Sequence, residues 1–191
     1  EIIVIHYTAL SSISYSLKHL CSKKNKVSSH YLISQEGKIY SLVSEKKRAW
    51  HAGQSYWRGN TDINSISIGI ELDFSPSDKN NKFTLKLNIA LISLIKKLIK
   101  KYQISTDNIL GHSDIAPYRK IDPGKYFPWQ MLENKKLSYR PQFLIRSNIE
   151  NRLKKEFFNK NKLNSMKKKI LFMLNFIGYD TSLALNNKIY F

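Results

Sequence analysis

The residues of this chain best able to do chemistry lie in the run Gly111-His112-Ser113-Asp114-Ile115-Ala116-Pro117-Tyr118-Arg119-Lys120-Ile121-Asp122-Pro123-Gly124. Pro117, Pro123 and Gly124 punctuate it, which predicts a shaped, non-helical loop. In extended chain the side chains at i and i+2 point the same way, so Lys120 and Asp122 are expected to face one pocket. A histidine and a carboxylate brought together on loops can bind zinc, and a lysine beside them can stabilise a developing oxyanion. The third protein ligand must come from elsewhere. His6, closing the run Ile2-Ile3-Val4-Ile5, is the candidate; the competing reading is a core histidine satisfied by a backbone carbonyl. Glu71 is a second acid set among apolar residues. A buried carboxylate is costly unless paired, and its pKa rises toward neutrality, which suits a general base. The competing reading is a glutamate tied to a buried lysine or arginine.

These groups need a scaffold. Glu1 to His6 reads as a buried strand rich in β-branched residues. Ser11 or Ser12 can cap a helix with Ile13, Leu17, Leu20 and Cys21 on one face. His30-Tyr31-Leu32-Ile33 and Lys38-Ile39-Tyr40-Ser41-Leu42-Val43 read as a hairpin turning at Gln35-Glu36-Gly37. His30 is assigned a supporting or structural duty. Trp50-His51-Ala52-Gly53 follows in a loop, where it suits either a sugar or peptide contact surface or a tryptophan plugging the core edge. Ile66 to Leu72 alternates like a strand that buries one face, and Gly69 permits close backbone approach. Leu85 to Tyr102 is the clearest helix, with Leu91, Ile92, Ile95, Leu98, Ile99 and Tyr102 as its apolar stripe. Asn108 to Gly111 returns as a short strand.

At 191 residues the chain suits one ordinary domain plus a small appendage. Its 32 basic and 14 acidic residues leave a net charge of +18, which reflects either solubility and base composition or attraction to a polyanion. The basic residues are spread along the chain, and no nucleic-acid partner is expected. A lone cysteine, Cys21, excludes an internal disulfide. No apolar run is long enough to span a bilayer. Residues 140–191 carry 11 basic and 3 acidic residues, and Arg140-Pro141 marks a boundary. Beyond it, helices are expected around Asn148 to Phe158 and Leu163 to Ile177, the second presenting Met166, Ile170, Met173, Leu174 and Ile177 to a partner surface and ending at Gly178.

Four runs taken together resemble a known family. Ile5-His6-Tyr7-Thr8, Trp50-His51-Ala52-Gly53, Ser67-Ile68-Gly69-Ile70-Glu71-Leu72 and the Gly111 to Gly124 run, in this order, resemble the zinc-dependent N-acetylmuramoyl-L-alanine amidases of the AmpD and AmiD type, relatives of the peptidoglycan-recognition proteins. The helix running into Gly178-Tyr179-Asp180 resembles part of a peptidoglycan-binding module and points to the AmiD side. The resemblance implies an α/β fold, a mixed central β-sheet flanked by helices with a small α-helical C-terminal region. It implies a catalytic domain over residues 1–139 and a shortened module over 140–191. It places Zn2+ on His6, His112 and Asp122, makes Glu71 the base and Lys120 the oxyanion stabiliser, and leaves Trp50, His51, Ala52 and Gly53 as substrate contacts. Asp114 competes as carboxylate ligand by proximity to His112, but the family pattern gives that role to Asp122. Some relatives carry a catalytic tyrosine where this chain has Ser29. The expected reaction is hydrolysis of the amide between N-acetylmuramic acid, intact or 1,6-anhydro, and L-alanine of the stem peptide; the alternative is a non-catalytic recognition protein of the same fold. A monomer acting on peptidoglycan or muropeptides in the bacterial periplasm or cell envelope is expected, anchored through a preceding segment, with the cytoplasm as alternative.

Overall fold

A computed structural model of the chain describes residues 1–77, 82–139, 155, 159–161 and 165–186. Its five strands are β1 (Ile2–Tyr7), β2 (Tyr31–Ile33), β3 (Ile39–Ser41), β4 (Ser67–Leu72) and β5 (Ile109–Gly111), in the order β3-β2-β4-β1-β5. β1 runs parallel to both β4 and β5, β4 parallel to β2, and among these five strands the β2–β3 hairpin is the antiparallel pair. The helices are α1 (Ile13–Cys21), α2 (Ile63–Ile66), α3 (Leu85–Tyr102), α4 (His112–Ile115), α5 (Trp129–Asn134), α6 (Met166–Ile177) and α7 (Ser182–Asn186). This is the mixed sheet with flanking helices that the sequence implied.

Parallel neighbours need crossovers, which cover both faces of the sheet. β4 is therefore buried at all six positions, whereas its alternation predicted one buried face. Alternation still sorts its residues by type. Ile3 and Ile5 of β1 and Ile68, Ile70 and Leu72 of β4 pack with Leu87, Leu91, Leu94, Ile95 and Leu98 of α3. Thr84 caps α3, accepting from Leu87 N–H at 3.2 Å. On the other face Ile2 and Val4 pack with Ala52, Trp57, Ile63, Leu110 and Ile115. Further along that face stand His6, Gly69 and Glu71. The parallel register sets His6 directly beside Glu71.

Three local expectations change. The run after Gly111 was expected to be non-helical, yet α4 forms one turn, closed by Ala116 N–H donating to His112 O at 3.0 Å. Pro117, the first residue lacking an N–H, comes only after it. Cys21 is exposed at the end of α1 rather than on its inner face, where Ser16 is buried and donates to Ser12 O at 2.9 Å. In α6 the buried residue is Leu171, and Met166, Met173 and Ile177 of the expected apolar face are exposed. The chain docks instead through Gly178 and Tyr179, which meet Trp57 and Arg58. The expected helix around Asn148 to Phe158 and the Arg140-Pro141 boundary lie, save for Lys155, outside the described residues.

Candidate metal centre

His6 reaches the site from the end of β1, and His112 and Asp122 come from the segment after β5. Their three ligand atoms converge. His6 Nδ1 lies 2.9 Å from His112 Nδ1 and 3.1 Å from Asp122 Oδ2, and His112 Nδ1 lies 3.0 Å from the same oxygen. All three residues are buried. Asp114, the rival carboxylate, is committed elsewhere: its Oδ2 accepts from Gly111 N–H at 2.7 Å and its Oδ1 from the Tyr179 hydroxyl at 2.7 Å.

The protons on the imidazoles can be placed by following acceptors that have no hydrogen to give. Ala52 O accepts from His112 Nε2 at 3.0 Å, so neutral His112 has a bare Nδ1. Ser67 donates its hydroxyl to Ile63 O at 2.6 Å and so accepts from His51 Nε2 at 3.2 Å. His51 Nδ1 is then bare and accepts from His6 Nε2 at 3.0 Å. That leaves the His6 Nδ1 bare as well. Two lone pairs and a carboxylate oxygen therefore face one point within 3.1 Å, with no proton between them. Such a set is repulsive without a cation and suits a divalent ion that takes nitrogen and oxygen ligands. Both imidazoles donate their outer N–H to a fixed acceptor, the arrangement that orients a ligating histidine.

Ionisation agrees with the donor set. Burial lowers His6 to about 4, against the pull that the Asp122 carboxylate would exert on a protonated ring, so the ring is neutral at pH 7. Burial and the neighbouring imidazoles hold His51 well below its ordinary value. Burial works to raise Asp122, but a proton on Nδ1 of His112 or His6 would bond to its carboxylate and outweigh burial, which holds the carboxyl well below the usual range. Glu71 goes the other way, pushed up to about 8 by burial and then by Asp122, with Lys120 opposing. Its Oε2 is buried without a partner. Glu71 and Lys120 line, with the ligand triad, one cleft of about 220 Å3. Among the described residues, no hydrogen bond ties Glu71 Oε2 to a buried cation, the competing role considered for it.

Of the four expected substrate contacts, only Trp50 presents a broad open face. It is 58% exposed, carries the Arg48 guanidinium 4.7 Å from its ring centre, and lines a groove of about 550 Å3 that shares Leu20 and Val27 with the ligand cleft. His51 lines the cleft floor and is buried, and Ala52 is fully buried; His51 Nδ1 bonds the His6 ring and Ala52 O the His112 ring. Gly53 takes φ +60° and is exposed, with the Arg119 guanidinium 3.2 Å from where a Cβ would stand. His30 is structural, donating to Lys47 O at 2.9 Å and accepting from Gly69 N–H at 3.0 Å.

Several supporting residues were not singled out from the sequence. Asn64 Oδ1 accepts from the N–H groups of His51 and Ala52 at 2.9 and 2.8 Å, fixing the loop that bears them. Arg119 donates to Ala52 O at 2.7 Å beside the His112 bond. Thr8 lines the cleft with its hydroxyl buried and unpartnered. The available signal was Gly69: a Cβ there would stand 2.5 Å from the His51 ring, so this mid-strand glycine marks where the ring lies.

Comparison with known proteins gives a consistent picture. Residues 1–125 match the family described as N-acetylmuramoyl-L-alanine amidase. The chain is 43% identical over 145 residues to N-acetylmuramoyl-L-alanine amidase AmiD of Escherichia coli, covering 69% of this chain and 51% of that protein. It is 43% identical over 106 residues to 1,6-anhydro-N-acetylmuramyl-L-alanine amidase AmpD of Haemophilus influenzae, covering 55% of this chain and 56% of that one. The chain thus spans about half the length of these curated relatives. Among solved structures, E. coli AmiD in complex with anhydro-N-acetylmuramic acid-L-Ala-D-gamma-Glu-L-Lys superposes with a TM-score of 0.77 at 35% identity, covering 94% of this chain and 72% of that one. AMPDH3 of Pseudomonas aeruginosa, in complex with anhydromuramic pentapeptide, gives 0.74 at 30% identity over 94% and 74%.

Proposed function

Because the chain belongs to the N-acetylmuramoyl-L-alanine amidase family, of the AmpD and AmiD type, we propose that it is a zinc-dependent hydrolase. Its substrate would be the amide that joins the lactyl group of N-acetylmuramic acid, intact or 1,6-anhydro, to L-alanine of the stem peptide. The observation that carries this reading is the meeting of His6 Nδ1, His112 Nδ1 and Asp122 Oδ2 in a cleft that also holds Glu71 and Lys120. A recognition protein without catalysis would have no use for that set of groups.

His6, His112 and Asp122 would hold the ion. Zinc, when bound, supplies Lewis acidity toward the scissile carbonyl and toward water, whose pKa falls to about 7 in such sites. Glu71 takes the proton of the attacking water on its carboxylate and then hands it to the departing L-alanine nitrogen. Burial raises this carboxyl above its ordinary value and a cation in the cleft would draw it back down, which leaves it suited to take and return a proton near neutral pH. Lys120 faces the oxyanion that develops on the carbonyl oxygen. His51, Ala52 O and Arg119 would keep the ligand rings in place. Trp50 offers an aromatic platform at the rim of the neighbouring groove.

Residues 1–139 would form the catalytic domain and 140–191 an appended region resembling a peptidoglycan-binding module. The protein would work in the bacterial cell envelope, where a net charge of +18 favours acidic polymers. No helix among the described residues is long and apolar enough to cross a membrane. The test is a digest of purified peptidoglycan and of anhydro-muropeptides. Stem peptide with a free L-alanine amine should appear, vanish with a chelator and return with zinc. Failure of zinc-loaded protein to release it from either substrate overturns the reading.

A further inference from the structure

The segment that carries His112 is gripped from outside by the far end of the chain. Tyr179 donates its hydroxyl to Asp114 Oδ1 at 2.7 Å, and Oδ2 of the same carboxylate accepts from Gly111 N–H at 2.7 Å. Asp114 thus joins the C-terminal segment to the residue immediately before His112. The gripped turn, α4, also reaches the other site residues. Ser113 N–H donates to Asp122 O at 2.9 Å, and Lys120 N–H donates to Ala116 O at 3.0 Å. Any displacement of Asp114 is therefore passed to a metal ligand, to the backbone of a second ligand and to the lysine.

The far end is itself well anchored. Arg58 N–H donates to Gly178 O at 3.0 Å, its Nε donates to Ile177 O at 3.0 Å, and its guanidinium pairs with Asp107 at 2.7 Å. The Tyr179 ring sets an edge against Trp57 with centres 5.2 Å apart. Tyr118, inside the same catalytic segment, donates its hydroxyl to Asp180 O at 2.9 Å and accepts from Ala184 N–H at 3.2 Å. Tyr179 is not among the residues that line the ligand cleft.

We infer that Tyr179 is a positioning residue for the metal centre: through Asp114 it fixes the turn that carries His112, and so governs how firmly the ligand triad retains its cation. The inference rests on reading His6, His112 and Asp122 as metal ligands. It gives the C-terminal region a task inside the catalytic unit, separate from any contact with glycan.

The test follows zinc released from the zinc-loaded chain to a chromogenic chelator. Tyr179→Phe removes the hydroxyl and keeps the ring against Trp57; release is expected to quicken about 10-fold, the lower end for partners that orient ligands from outside. In an Asp114→Ala background the same substitution should add nothing, because the effect travels through that carboxylate. Ile95→Val, which loosens the core on the opposite face of the sheet, should release zinc at the wild-type rate. Equal acceleration in Ile95→Val and Tyr179→Phe would mean general loosening and would overturn the inference. Undiminished acceleration in the Asp114→Ala background would also overturn it. His112→Ala separates this from the underlying assignment: if it holds zinc like wild type, the ligand assignment fails. If it loses zinc while Tyr179→Phe releases at the wild-type rate, the brace is refuted and the ligands stand.

Discussion

On the α3 side of the sheet, β1 and β4 present Ile3, Ile5, Ile68, Ile70 and Leu72 to an aliphatic helix face. On the other side the alternate residues of the same two strands are Ile2, Val4, His6, Ser67, Gly69 and Glu71. The first set is specified by volume, since dispersion and burial are non-directional. The second is specified atom by atom: Ser67 accepts from His51, Gly69 vacates room for the His51 ring, and His6 donates to that ring. One backbone therefore carries a forgiving face and an exacting one. Stability should be lost mainly through the former and chemistry through the latter.

The severest challenge to that division is Glu71→Gln, which preserves shape and removes the base. Turnover should fall on the order of 10^3-fold with zinc content unchanged in a metal assay; near-normal turnover would mean the exacting face is not where the chemistry lies. Leu91→Ala on α3 should do the reverse. Denaturant unfolding should show a loss of about 3 kcal/mol, while kcat per folded molecule stays within about two-fold, a small cost on the scale of transition-state arithmetic. A fall in kcat as large as that of Glu71→Gln would erase the distinction between faces.

Gly69→Ala sharpens it, because it adds one methyl to the polar side of a central strand. The new Cβ would stand 2.5 Å from the His51 ring, so His51 must shift and His6 loses its acceptor. Activity should drop about 10-fold to 100-fold, and zinc titration should show weaker binding. The smallest effect concerns the metal-free protein and pH. Glu71 is raised from 4.5 to about 8, so between those values the folded chain keeps a proton that the unfolded chain has released. Stability then falls as pH rises through that window. His6, lowered from 6.5 to about 4, acts oppositely, adding stability as pH rises from 4 to 6.5. Above pH 6.5 only the falling limb from Glu71 remains of the two. Glu71→Gln should flatten that limb, so that its stability relative to the unsubstituted chain grows from pH 6.5 to pH 8 by chemical denaturation.

The forgiving face was the easier to read in advance. β-branched runs announce β1 and β4, and 3.6-residue periodicity announces α3. His6, Glu71, Lys120 and Asp122 stood out as candidates because their types are rare in such apolar or Pro-bounded settings, but the residues alone left His6 and Glu71 a structural reading, and the family resemblance chose between the two. What could not be read is direction across space. Nothing local shows that His51 turns inward against Gly69 while Trp50 turns out, because Asn64 and Ser67 decide it from another element. The four-residue α2 is too short to leave a periodic signal. The apolar positions of α6 point to one buried face, but contacts at Gly178 and Tyr179 dock its end instead.

His6 stands 106 residues from His112 and 116 from Asp122 along the chain. An unfolded chain does not hold them together, so an ion captured there recognises the assembled sheet rather than any short peptide. Occupancy and folding are then linked by mass action, worth about 2.7 kcal/mol at a free-ion concentration a hundred times Kd. If the site holds zinc as proposed, a zinc-poor medium would take structural reserve from this protein, and its turnover by proteases would report scarcity of the ion.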